Sequence, residues 1–287
     1  MGTTATPDST LHLPRILCLH GGGVTAEIFR LQSRALLNRL RTSFRLVFAD
    51  GPFLCSAGPG IVPVYADLGP YRRWLRWLPH EHAEVDAGTA VEEVRYQMEA
   101  AMAEDDRLGA DGAWVGVMGF SQGAKVAASL LFESQRRRAI KELGGGDEEI
   151  QGFEGEGVKT VLWEQDWRFG VLMAGRAPLV SLAPGAECEW FQNAGECDDG
   201  TKGLVDVPRE WKLTIPTLHV HGLKDNGLHL HRRLSERYCP KDRRIVVEWD
   251  GDHRVPIKSK DVELVCENLV EVARMGGVEP GVGITNK

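Results

Sequence analysis

The chain has 287 residues, of which 43% are hydrophobic and 26% charged, and a formal net charge of -7 at pH 7. That balance gives a soluble globular fold with a sizeable core and excludes a disordered or fibrous protein. The acidic excess also argues against a general nucleic-acid binder, which needs a dominant basic face, and no apolar run approaches membrane-spanning length.

Taken in chain order, residues 1–14 are expected to be a flexible terminus. They lack the charged start and apolar stretch of a secretory signal, which points to a cytoplasmic protein. Met1-Gly2-Thr3-Thr4-Ala5-Thr6 has the spacing of a myristoylation signal, but no polybasic segment follows as a second anchor. Residues 15–275 read as one α/β domain. Short apolar runs at 15–19, 44–49, 114–118, 168–173, 217–220 and 245–249 predict about six strands. Each is rich in residues that suit a doubly wound, mainly parallel sheet buried on both faces by helices. Helical spacing predicts helices over 26–40, 91–102, 122–142, 226–238 and 258–275. The third of these begins with Ala124, Ala127 and Ala128, small enough to let it approach the sheet closely.

Other segments fall outside the alternation. Residues 52–82 are rich in proline, glycine and aromatics and too apolar for an idle surface loop, so a short cap over the site is expected. Residues 144–157, glycine-rich and acidic, predict a flexible insertion; 185–203 predict a polar loop, and 276–287 a flexible tail. Six cysteines without C-x-x-C spacing suggest reduced, mostly buried thiols, with Cys188 and Cys197 the only pair close enough in sequence to bridge.

The feature that carries chemistry is Gly119-Phe120-Ser121-Gln122-Gly123, a G-x-S-x-G placed between an apolar strand and a helix. A serine there sits on a strained turn around which the backbone passes too closely for a Cβ, which accounts for both glycines. Since a hydroxyl is a poor nucleophile, a base must take its proton and an acid must orient the base. In this architecture the acid and then the histidine follow the serine in sequence, at the carboxyl ends of later strands. Asp225, in His221-Gly222-Leu223-Lys224-Asp225, and His253, in Asp250-Gly251-Asp252-His253, meet that requirement. Asp250 and Asp252 compete for the acid role, but their place beside the histidine suits them better to shaping its loop. An oxyanion hole needs the backbone N–H of Gln122 and one from Leu19-His20-Gly21-Gly22-Gly23, with Gly22 the first choice and Gly23 next. Nucleotide-binding glycine patterns are absent from that run.

The remaining histidines invite a metal reading. His219 and His221 alternate along a strand, and His229 and His231 lie near a helix start, but none has zinc-site spacing. They read as core or surface histidines, and no metal or organic cofactor is expected. His80 and His82 fall in the cap, either near substrate or in solvent. Phe53, Ile61, Val62, Tyr71, Trp74 and Trp77 in the cap are candidates for an apolar acyl pocket, or else pack the loop onto the core. Arg72, Arg73 and Arg76 beside them either meet an acidic partner or form a solvated face.

With these residues placed, Leu19-His20-Gly21-Gly22-Gly23, Ile28-Phe29, Gly119-Phe120-Ser121-Gln122-Gly123-Ala124 and Gly251-Asp252-His253 with Pro256 resemble the FSH family of serine hydrolases, over residues 15–274. Ser56-Ala57-Gly58-Pro59-Gly60-Ile61 and Tyr65-Ala66-Asp67-Leu68-Gly69-Pro70-Tyr71 resemble its fungal branch of polyketide-releasing thioesterases of the lovastatin-pathway type. The sequence departs from that family at Asp252, where glycine is more usual, and in the 144–157 insertion. The resemblance implies an α/β-hydrolase that cleaves an acyl thioester on the carrier domain of a polyketide synthase, with Ser121, Asp225 and His253 as its triad. A carboxylesterase acting on a small ester would use the same apparatus, and a non-catalytic accessory protein of a synthase is the alternative of another class.

Overall fold

A parallel sheet buried on both faces favours strands that are mostly apolar, and the central strands of this protein, Arg15–Leu19, Trp114–Phe120 and Phe169–Met173, are almost entirely so. The computed structural model of the protein describes residues 8–78, 81, 85–143, 165–182, 189–197 and 206–281. The sequence expectations for 144–157, His80, His82 and Cys188 lie outside these residues. Among the described residues the main sheet has six strands: β1 (Arg15–Leu19), β2 (Arg45–Ala49), β5 (Trp114–Phe120), β6 (Phe169–Met173), β9 (Thr217–Gly222) and β10 (Arg244–Trp249). Every pairing is parallel, in the order β2-β1-β5-β6-β9-β10. The chain runs outward from β1 to β2, then returns to the other side of β1 with β5. Loops leaving β1 and β5 therefore diverge and open a crevice at the carboxyl edge, where ligands bind in such sheets.

Two layers of helix cover the sheet. On one face lie α4 (Ala87–Arg107) and α5 (Gln122–Glu142), which bury Val94, Met98, Met102, Ala127, Leu130 and Leu131. On the other lie α1 (Ala26–Gln32), α2 (Arg34–Leu40) and α7 (Ser259–Met275), burying Phe29, Leu36, Leu40, Val265 and Leu269. Ala124, Ala127 and Ala128 in α5 are fully buried, which is how this helix comes close to the strands beneath it. No described helix is long and apolar enough to cross a membrane.

Several segments differ from expectation, each for a local reason. The helix predicted over 26–40 is two helices broken at Ser33, whose backbone (φ -88°, ψ 6°) leaves the helical region. The break lets Ile28 pack under the cap with Val24 and Ile61, while α2 turns against α7. The helix predicted over 226–238 becomes α6 (Leu228–Arg233) followed by a π-helical turn, Leu234–Tyr238. Residues 8–14 are anchored: Asp8 pairs with Arg45 at 2.7 Å, Leu13 is buried, and the Leu11 carbonyl accepts from the Asp111 and Gly112 amides. The start of the expected tail is anchored as well, through buried Val278 and a bond from the Gly281 amide to the Ser43 carbonyl. The expected polar loop carries a buried two-residue strand, β8 (Phe191–Gln192), paired with β7 (Leu179–Val180); Gln192 accepts a hydrogen bond from the buried Lys125 ammonium.

Candidate active site

β5 hands over to α5 at Ser121, which stands at the head of the helix with φ 54° and ψ -116°, a conformation that L-residues rarely adopt. The glycines around it are dictated by contact. A Cβ on Gly119 would run into the Gly123 carbonyl, and one on Gly123 into the carbonyls of Leu19 and His20. The turn is held by the Ser121 amide, which donates to the Met173 carbonyl at 2.8 Å. The hydroxyl is thereby raised above the sheet edge at a helix N-terminus, where unpaired N–H groups favour negative charge.

Two later strands deliver its partners. His253, on the loop after β10, places Nε2 2.9 Å from Ser121 Oγ and Nδ1 2.6 Å from Asp225 Oδ2. Asp225, on the turn after β9, is buried, and its Oδ1 accepts from the Gly227 amide at 2.8 Å. Burial works to raise the Asp225 pKa, but the bonds from Gly227, His253 and His231 outweigh it and hold the carboxyl below its ordinary value. The carboxylate accepts from Nδ1, so Nε2 is left with a lone pair toward the serine hydroxyl, the tautomer a general base needs. Asp250 and Asp252 are exposed and turned to Lys224 and Arg254 instead.

The glycine loop after β1 is fixed from two sides. His20 is fully buried; its Nδ1 lies 2.6 Å from the Gly21 carbonyl and its Nε2 accepts from the Gly51 amide at 2.8 Å. Burial lowers its pKa to about 4, so the ring is neutral with its proton on Nδ1. Gly23 adopts φ 78°, a Cβ there would strike the Gly58 backbone, and its amide is already spent on the Arg72 carbonyl at 2.9 Å. Among the described residues the Gly22 and Gln122 amides have no such partner.

The cap is a structured flap built on this loop. Its strands β3 (Phe53–Leu54) and β4 (Arg72–Arg73) pair antiparallel, and Arg72 bridges to Val24. Between them lie the short helix α3 (Val62–Tyr65) and a 3-10 turn, Ala66–Leu68. The Gln122 side chain pins the far end: Oε1 accepts from the Trp74 and Leu75 amides at 2.7 and 3.3 Å, and Nε2 donates to the Leu75 carbonyl at 2.9 Å.

These contacts redistribute the expected acyl-pocket residues. Trp74 is fully buried, with Nε1 donating to the His20 carbonyl and its ring against His20, so it supports the glycine loop and cannot line a pocket. Phe53 is buried beneath the Arg73 guanidinium, Ile61 packs on Val24 and Ile28 at the flap's base, and Tyr71, half-buried, donates to the Tyr65 carbonyl. Val62 is exposed. Trp77 remains half-buried under the Arg176 guanidinium, which lies on the loop after β6 beside the nucleophile's turn. Of the three arginines Arg73 is buried, while Arg72 and Arg76 are half-buried. Arg72 donates to the Gly51 and Pro52 carbonyls, Arg73 is buried near Glu81, and Arg76 donates to the Glu81 carbonyl.

His219 and His221 are buried in β9, as core histidines, and His229 is exposed. His231 is different. Read from the sequence as a core or surface histidine, it is fully buried with Nε2 3.0 Å from Asp225 Oδ2. Asp225, His231 and His253 are the one trio of potential metal donors, within 4.8 Å, among the described residues. Their facing atoms already bond to one another and to the serine, as a proton relay would.

A serine on a strand-to-helix elbow, with histidine and aspartate at the carboxyl edge of a parallel sheet wrapped by helices, defines an α/β-hydrolase of the serine type. The chain belongs to the serine hydrolase (FSH1) family, whose model matches residues 10–265. It is 47% identical to esterase citA of Monascus ruber, over 94% of this chain and 96% of that one. It is 45% identical to esterase claE of Penicillium crustosum, over 97% and 100%. Among solved structures it is similar to Zea mays acyl-protein thioesterase 2, with a TM-score of 0.49 and 16% identity over 94% of this chain and 97% of that one. The protein is a serine hydrolase.

Proposed function

We propose that Ser121 attacks the carbonyl of an acyl thioester, that His253 takes the serine proton and delivers it to the leaving thiolate, and that His253 then activates water to release the acid. Asp225 holds His253 in the required tautomer and stabilises the imidazolium. The Gly22 and Gln122 amides receive the oxyanion, a role for which Gly23 is disqualified by its bond to the Arg72 carbonyl. The observation that carries this reading is the unbroken line from Asp225 Oδ2 through His253 to Ser121 Oγ, at 2.6 and 2.9 Å.

The acyl group we propose is a polyketide chain on a synthase carrier domain. Support comes from the resemblance of the cap sequences to polyketide-releasing thioesterases, and from Trp77, an expected pocket residue that stays half-buried against Arg176 on the loop after β6. We place the reaction in the cytoplasm, a reading in keeping with the buried thiols of Cys18, Cys239 and Cys266.

A second reading, hydrolysis of a small oxygen ester, is favoured by the relatives' names, which are those of esterases. Both bonds pass through the same tetrahedral intermediate, so only kinetics separates them. The measurement is kcat/KM on matched ester and thioester forms of one acyl group, followed by carrier-bound and free thioesters. Thioester release is expected to exceed ester cleavage by roughly tenfold or more, about 1.4 kcal/mol in the barrier. Preference for the ester, with no gain from a carrier, would establish the esterase reading.

A further inference from the structure

Asp225 Oδ2 is shared by two imidazoles. His253 Nδ1 approaches it at 2.6 Å and His231 Nε2 at 3.0 Å, while the Gly227 amide occupies Oδ1. His231 lies in α6, six residues after Asp225, with no exposed surface. Its other nitrogen, Nδ1, lies 3.0 Å from the Gly175 carbonyl on the loop after β6. A carbonyl and a carboxylate only accept, so a neutral ring can serve one of these contacts with its single N–H, and the charged carboxylate is the stronger acceptor. Burial outweighs the bonds to Asp225 and Gly175 and holds the His231 pKa below its ordinary value, so the ring is neutral around pH 7.

The surroundings offer no other role for the ring. Its neighbours are Asp225, His253 at a centroid distance of 6.0 Å, and His221 at 5.9 Å. Beyond His221 stand His219, at 6.0 Å, and Glu248, which is paired with Arg232. Asp225 is therefore the one carboxylate in contact with His231 among the described residues.

We propose that His231 is a positioning residue which donates its Nε2 proton to Asp225 Oδ2, fixing the carboxylate and drawing off part of its charge. A carboxylate serving His253 alone stabilises the imidazolium strongly and keeps the base protonated; one that shares its charge with a second donor does so less. His231 thus moderates the hold of Asp225 on a proton at His253 and leaves that ring ready for the serine proton. The inference rests on the acyl-transfer reading of Ser121, His253 and Asp225.

The test is the pH profile of kcat/KM on a small aryl ester from pH 5 to 9, normalised to sites titrated with a fluorophosphonate. His231→Phe fills the ring's space without a donor, and His231→Gln restores an N–H that can reach the carboxylate. In His231→Phe the acidic limb is expected to move up by roughly half to one pH unit, with kcat lowered roughly tenfold and KM little changed. His231→Gln should recover at least half of the limb shift. A His231→Phe limb coinciding with that of the unmodified protein, or a Gln variant shifted as far as Phe, overturns the proposal. Should His231→Phe not fold, the same two outcomes are read from His231→Ala. Ser121→Ala and His253→Ala run alongside: activity retained in either would sink the acyl-transfer reading itself, which is a separate result.

Discussion

Gln122 uses its two halves for different purposes. Its backbone follows the nucleophile and is proposed to face the oxyanion, while its buried side chain makes three bonds to the Trp74–Leu75 backbone of the flap. In Gln122→Ala the backbone donor survives, but two buried amides and a carbonyl lose their partner, at a cost of about 2–3 kcal/mol. Melting should fall by several degrees, and KM should rise more than kcat falls, because the flap rather than the nucleophile is loosened. An unchanged melting temperature with unchanged kinetics would show that the flap is held elsewhere. At this scale the sequence is legible where a residue answers to a fixed position along the chain. Ser121, Asp225 and His253 each follow a strand end, and the structure brings them together. The Gln122 side chain and His231 act across space on partners 48 and 6 residues away, and neither spacing marks such a contact.

Among the elements, β1 matches its apolar run at both ends and α5 matches its helical pattern, because burial on both faces leaves a strand no polar alternation and α5 runs unbroken from the elbow. Where a single pattern serves two packing partners, legibility drops. Residues 26–40 have one helical period, yet Ser33 divides them so that Ile28 can face the flap and Leu36 the sheet's outer layer. The flap shows the same limit from the other side. Its composition announces a covering segment, but Trp74 and the arginines point inward because the flap's backbone is bonded to the glycine loop, a pairing with no sequence period.

For the whole molecule, buried histidines set the response to acid. Burial lowers the pKa of His20 and of His221 to about 4, and holds that of His219 well below its ordinary value. Their folded pKa lies below the unfolded value, so as pH falls below about 6.5 the unfolded chain binds protons that the folded one refuses. Stability is thus full above neutrality and declines between about pH 6.5 and 4, by on the order of 3 kcal/mol for each of His20 and His221 across that window. The Asp225 contribution, from a carboxyl held below 3.8, is lost only at lower pH. Melting should therefore be several degrees lower at pH 5 than at pH 7.5, although net charge vanishes near the pI of 5.8; a maximum at the pI would show that charge repulsion outweighs the histidines. Histidines that stay neutral in the fold leave the sheet's edge intact around Ser121, on which the whole functional account turns. The most direct test is labelling by a fluorophosphonate, read by intact mass and peptide mapping. One adduct per chain on the peptide containing Ser121, absent in Ser121→Ala, is the predicted result; undiminished labelling of Ser121→Ala would contradict it.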